Sequence, residues 1–109
     1  MEKGNVYLIV DWGSNPEKYK IGITKKDVNK RIKELQTGSS NELVLLRTYQ
    51  SVNYKRIENI IHRNFKQYST DGGKEWFQLP EEKVINFIKE CEKIDKNITI
   101  LTEKNNPFF

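Results

Sequence analysis

At 109 residues, with 36% hydrophobic and 31% charged positions, the chain has the size and composition of one compact domain. No apolar run approaches the roughly 18 residues that cross a bilayer, and the amino terminus lacks the basic-then-apolar layout of a secretory signal, so an intracellular place, cytoplasmic or nuclear, is expected. A single cysteine, Cys91, excludes an intrachain disulfide, a CxxC redox pair and a cysteine-built zinc site; any metal would rest on oxygen ligands, with His62 the only histidine. The net charge of +4 is concentrated: residues 17–34 hold seven bases (Lys18, Lys20, Lys25, Lys26, Lys30, Arg31, Lys33) against Glu17, Asp27 and Glu34, and the remainder is balanced. A positive field over one part of the surface suits contact with phosphates, although a solvated lysine-rich helix face would read the same way.

Asn5–Val10 (NVYLIV) is rich in β-branched and aromatic residues and is followed by the turn residues Gly13, Ser14, Asn15 and Pro16. Tyr19–Thr24 (YKIGIT) alternates as its antiparallel hairpin partner should. Asp27 can cap a helix in which Val28, Ile32 and Leu35 recur at helical spacing, with Gly38, Ser39 and Ser40 ending it; this helix is expected to carry the basic cluster. A third strand fits Leu43–Tyr49, whose continuous run Leu43, Val44, Leu45 and Leu46 suits the middle of a sheet. From about Asn53 to Tyr68, the apolar residues Tyr54, Ile57, Ile61, Phe65 and Tyr68 follow the helical period, with Glu58 and His62 one turn apart beside them.

Asp71, Gly72 and Gly73 then break the chain before a short extended piece, Glu75–Leu79 (EWFQL). A last helix is expected from Pro80, Glu81 and Glu82 to about residue 96, with proline in the first turn, acids at its positive end and an apolar face of Val84, Phe87, Ile88, Cys91 and Ile94. Residues 1–97 make the expected domain. Ile98–Leu101 is expected to add an edge strand, and Asn105–Phe109 (NNPFF) to be a frayed or partner-bound tail. The fold class is α/β: a small three-stranded antiparallel sheet flanked by helices, finished by a C-terminal helix.

The ordered set Tyr7, Lys20, Arg31, Glu58 and His62, carried by YLIV, YKIGIT, KRIKEL and IENIIH and followed by EWF, resembles the GIY-YIG nuclease superfamily. NVY at 5–7 stands for the first tripeptide and KIG at 20–22 for the second. The likeness runs from about Asn5 to Leu79 and is greatest to the branch first noted in a bacteriophage open reading frame, where lysine replaces the second tyrosine. Where family members carry a histidine one turn beyond the arginine, this chain has Leu35, and Gln78 is the only amide near the family's asparagine.

The resemblance implies a metal-dependent DNA endonuclease, with RNA left open as a substrate. Tyr7 would contact the nucleophilic water, as general base when a neighbouring cation favours its phenolate; Lys20 would supply that cation and touch the phosphate. Arg31 would bind the phosphate with its planar fork, and His62 would relay a proton or bind a phosphate oxygen. Glu58 would hold Mg²⁺ or Mn²⁺, an ion that one or two carboxylates plus substrate phosphate can retain. Lys25, Lys26, Lys30 and Lys33 would line the nucleic-acid path, and a homodimer or a targeting protein would supply specificity.

Each residue also has a plain reading. Tyr7 can be an amphipathic strand residue, Lys20 and Arg31 parts of a solvated face, Glu58 and His62 a surface pair, Gly22 a packing glycine, and Trp76 and Phe77 core plugs rather than base-stacking platforms. The rival functions are a nucleic-acid-binding module without turnover and a protein-interaction adaptor that docks through its tail.

Overall fold

The computed structural model describes residues 2–70 and 73–105, with the side chains of residues 73, 74 and 103–105 left aside. The elements run β1 (Gly4–Asp11), β2 (Lys18–Thr24), α1 (Val28–Thr37), β3 (Leu43–Ser51), α2 (Tyr54–Asn64), a 3-10 turn (Lys66–Tyr68), β4 (Ser69–Thr70), β5 (Gly73–Phe77), α3 (Glu81–Ile85) and α4 (Phe87–Asn105). The α/β class holds, but the sheet has five strands rather than three, in the order β3-β1-β2-β5-β4 and antiparallel throughout. Gly73–Phe77 and the short Ser69–Thr70 supply the added strands; both are too brief for alternation to mark them in the sequence.

The β1–β2 hairpin has the expected register, with Tyr7 opposite Gly22 and Ile9 opposite Lys20. Strand alternation then sorts the hairpin into two layers. Val6, Leu8 and Ile21 join Ile57, Ile61, Phe65, Phe77, Phe87 and Cys91 in the main core beneath α2 and α4, while Tyr7, Ile9 and Leu43 pack with Val28, Ile32, Leu35 and Trp76 beneath α1. Helix α1 starts where Asp27 accepts a hydrogen bond from the Asn29 amide, 2.8 Å, and ends at Gly38.

Three expectations are corrected. β3 lies at the sheet edge, not in its middle: Leu46 is an extra residue between Leu45, opposite Ile9, and Arg47, opposite Leu8. The bulge turns Leu45 toward the α1 layer and Leu46 toward the main core, which accounts for an unbroken apolar run in an edge strand. The expected C-terminal helix is divided at Asn86 into α3 and α4, and α4 then continues through Ile98–Leu101, which is therefore helix and not an edge strand. Phe87, Cys91, Ile94 and Ile98 form one buried stripe at helical spacing, and that burial overrides the strand preference of the Ile-Thr-Ile-Leu stretch. The second long helix ends at Asn64, four residues before Tyr68, and passes into the 3-10 turn. The break at Asp71 and Gly72 and the tail at 106–109 lie outside the described residues. No helix among the described residues is long and apolar enough to cross a membrane.

Candidate active site

The site forms where the sheet is incomplete. Among the described residues β5 pairs with β2 at Tyr19 and Lys20, and beyond Lys20 no strand partner is seen there for the outer edge of β2. Helix α2 occupies that edge: His62 Nε2 lies 2.9 Å from the Ile21 carbonyl oxygen. Because a carbonyl only accepts, Nε2 carries the proton and Nδ1 is the nitrogen left to act as an acceptor. The imidazole also leans on buried Phe77, with ring centroids 5.3 Å apart, so two contacts fix its orientation.

One turn earlier on the same helix face, Glu58 stands beside the same gap. It is partly buried, and its Oε2 is shielded from solvent with no hydrogen-bond partner among the described residues. Burial pushes its carboxyl above the ordinary carboxylate range, as does the charge of Glu75, while His62 and Lys20 act in the opposite direction. A half-buried carboxylate with an orphaned oxygen suits a hard cation more than a structural hydrogen bond, since an unsatisfied buried acceptor costs stability unless a ligand uses it.

Tyr7 is 1% exposed and its ring crosses directly over Gly22. A Cβ at position 22 would fall 2.5 Å from Tyr7 Cζ, so the glycine of the KIG tripeptide gives the tyrosine ring its place. Arg31, on α1, lies beside the phenol with its side chain 37% exposed, and also pairs with Glu34 at 3.1 Å. The phenol's pKa is raised, chiefly by burial; Arg31 pulls it down, and the charges of Glu75 and Glu58 push it up. Arg31 is thus a cation that acts on the Tyr7 phenol, and at rest the tyrosine is a neutral phenol.

Lys20 is 7% exposed and is engaged by Glu75 in an ion pair. Its ammonium also stands 5.5 Å from the centroid of the Trp76 ring, directly across the β2–β5 pairing. The expected site residues thus converge: Tyr7 with Arg31 over Gly22, and Glu58 with His62 at the adjacent edge, where Lys20 acts on the Glu58 charge. Glu75 is the member that sequence reasoning passed over. Its signal was present as an acid beside two aromatics in a short strand, but nothing local shows that it neutralises Lys20.

The four outer lysines are all exposed, but they are not alike. Lys25 and Lys26 precede α1 and pair with Glu2 at 3.1 Å and Glu34 at 3.2 Å, whereas Lys30 and Lys33 stand on the helix with no ion pair among the described residues. The basic cluster is therefore spread over β2, the following loop and α1 rather than confined to the helix. Among the described residues no group of three His, Cys, Asp or Glu side chains could enclose a metal. Of the expected site residues, Glu58 is the carboxylate that could anchor a hydrated ion, with the remaining ligands coming from water and phosphate.

The T5orf172 domain pattern matches residues 4–92, from the start of β1 into α4. The chain belongs to the T5orf172 domain family. That family is associated with GIY-YIG-like, nuclease-associated domains, which gives the chain a nuclease-related or DNA-binding setting. No curated protein and no solved structure matches the chain. The T5orf172 match covers every residue of the site, from Tyr7 to Trp76.

Proposed function

We propose that this T5orf172 domain is a metal-dependent endonuclease that hydrolyses phosphodiester bonds in DNA. The observation that carries the reading is the buried Tyr7 phenol, seated over Gly22, with the Arg31 guanidinium beside it and the orphaned Glu58 carboxylate close enough for its charge to act on it. In this reading Arg31 grips two nonbridging oxygens of the scissile phosphate and faces the charge that grows on them in the transition state. Tyr7 holds the attacking water; to accept its proton the phenol must first lose its own, a change that Arg31 favours and burial opposes. Glu58 holds Mg²⁺ or Mn²⁺, which when bound supplies positive charge to the phosphate and the departing alkoxide. His62 is oriented by Ile21 and Phe77 so that Nδ1 can accept a hydrogen bond or a proton at the rim. Lys20 reaches the phosphate by exchanging Glu75 for it.

A second reading rests on that same ion pair. With Lys20 already neutralised by Glu75, the face could bind nucleic acid without turning it over. Incubating purified protein with supercoiled DNA and Mg²⁺ or Mn²⁺ separates the two. A nuclease nicks the circle, and nicking disappears with chelator and with Glu58→Ala. A binding module leaves the circle intact while retaining chelator-insensitive affinity that falls with salt.

A further inference from the structure

The aromatic pair that follows Glu75 divides its work. Phe77 is a core plug, 1% exposed and stacked beside His62. Trp76 is not: it is only partly buried, and it forms a wall shared by two neighbouring cavities on the α1 side of the sheet. The larger, about 490 Å³, is also lined by Lys20 and by Thr37, Ser39 and Ser40 at the end of α1; the smaller, about 160 Å³, by Asp11, Lys18 and Thr70. Lys18 and Lys20 are two residues apart on one face of β2, roughly 7 Å by the strand rise. Each contributes to one of the two cavities that Trp76 joins. With Glu34 also on the wall of the larger cavity and Lys20 exchanging Glu75 for phosphate, two lysines flanking an indole beside the candidate site can hold a nucleic-acid backbone at two points and a base between them.

We infer that Trp76 is a stacking platform for one unpaired base of the substrate strand, next to the scissile phosphate. The inference rests on the nucleic-acid reading above and narrows its substrate class. Within a duplex each base has both faces covered by its neighbours, and the indole lies in the groove rather than on a protruding loop. Only an unstacked base can present its face to it. The preferred substrates are therefore single strands, flaps, or duplexes with an unpaired nucleotide at the cut, and a blunt duplex is a poor one. Lys20 bridges the two functions, since its ammonium stands 5.5 Å from the centroid of the Trp76 ring and its charge acts on Glu58.

The chain has two tryptophans, and the other, Trp12, is 62% exposed at the hairpin turn, so Trp12→Phe leaves Trp76 as the sole emitter. In chelator, to prevent cleavage, this protein is titrated with an end-labelled single-stranded oligonucleotide and with the same sequence as a blunt duplex. Label anisotropy reports binding, and indole emission reports stacking. Quenching should saturate together with anisotropy for the single strand, and the duplex should bind more weakly. In the parent protein Trp76→Ala should weaken single-strand binding roughly 5- to 150-fold, and Trp76→Phe less, with circular dichroism showing both folded. Binding that leaves Trp76 emission unchanged, duplex binding as tight as the single strand's, or Trp76→Phe and Trp76→Ala affinities within twofold of the parent would overturn the stacking role while leaving nicking untouched. Flat anisotropy with every strand would overturn both this inference and the nucleic-acid reading beneath it. Loss of nicking alone, with quenching intact, would overturn only the nuclease.

Discussion

Gly22→Ala is the sharpest test of how the site is built. The added Cβ would sit 2.5 Å from Tyr7 Cζ and 3.0 Å from Cε1, where side-chain carbons essentially never approach below 3.0 Å, so the ring must move by at least half an ångström. It has little room to do so, because Tyr7 is 1% exposed in a layer with Ile9, Leu43, Val28, Ile32 and Leu35. Overpacking of this kind costs about 1–3 kcal/mol. For a domain of this size that is a fall of at least about 4 °C in Tm. The displaced phenol also leaves Arg31 misaligned, and a shift of that order costs up to about 100-fold in rate. The assay is a thermal melt followed by nicking of supercoiled DNA, repeated in a Tyr7→Leu background, where the steric cost of Gly22→Ala should nearly vanish. A Gly22→Ala protein that melts within about 1 °C of the parent, roughly a quarter of the smallest fall expected, or a cost that persists without the tyrosine ring, would refute the claim that Gly22 exists to seat Tyr7.

Other outcomes follow from the same geometry. Because the Tyr7 phenol is held above its ordinary value, the phenolate fraction should rise about tenfold per pH unit through neutrality. The log of the single-turnover nicking rate should therefore climb with a slope near one between about pH 7 and 9; a flat profile would remove Tyr7 as the base. The folded-state pKa of Glu58 lies above its unfolded value, so the ionised carboxylate works against the fold, and the stability it allows in acid is lost as pH rises through the folded pKa. In chelator, Glu58→Gln should accordingly melt higher than the parent at pH 7.5, by the order of 1 kcal/mol after allowing for solvent screening, or about 4 °C, with no gain at pH 4. Equal melting at both values would show that the carboxylate is not strained. Lys30→Ser and Lys33→Ser, which break no ion pair among the described residues, should each reduce the slope of log affinity against log salt by about 0.9, and Lys26→Ser by less because Glu34 already offsets its charge. Slopes indifferent to all three would move the nucleic-acid path off α1.

Much of this was legible in the chain. The hairpin could be read because Tyr7 and Gly22, and Ile9 and Lys20, belong to two alternating runs joined by strong turn residues, and the register follows from matching those runs. The Glu58–His62 pair could be read from one helical turn of spacing. What could not be read depends on distant partners. Nothing near Leu46 announces a bulge, which is set by helices on both faces of β3. Ile98–Leu101 has the local preference of a strand and became helix because Ile98 continues a stripe begun at Phe87. The partner of Lys20 could not be read either, because Glu75 lies 55 residues away in the chain.

The interrupted pairing at the outer edge of β2 leaves the two halves of the site on separate mechanical supports. Tyr7 and Arg31 belong to the α1 layer, whereas Glu58 and His62 ride on α2, whose far side is seated on α4. Loosening the packing of Phe87 and Cys91 in the core beneath α2 would let that helix shift while leaving the tyrosine layer in place, so the proposed nicking would decline before the protein unfolded. Under the proposed nuclease reading, the nicking rate then serves as a gauge of order in the opposite core.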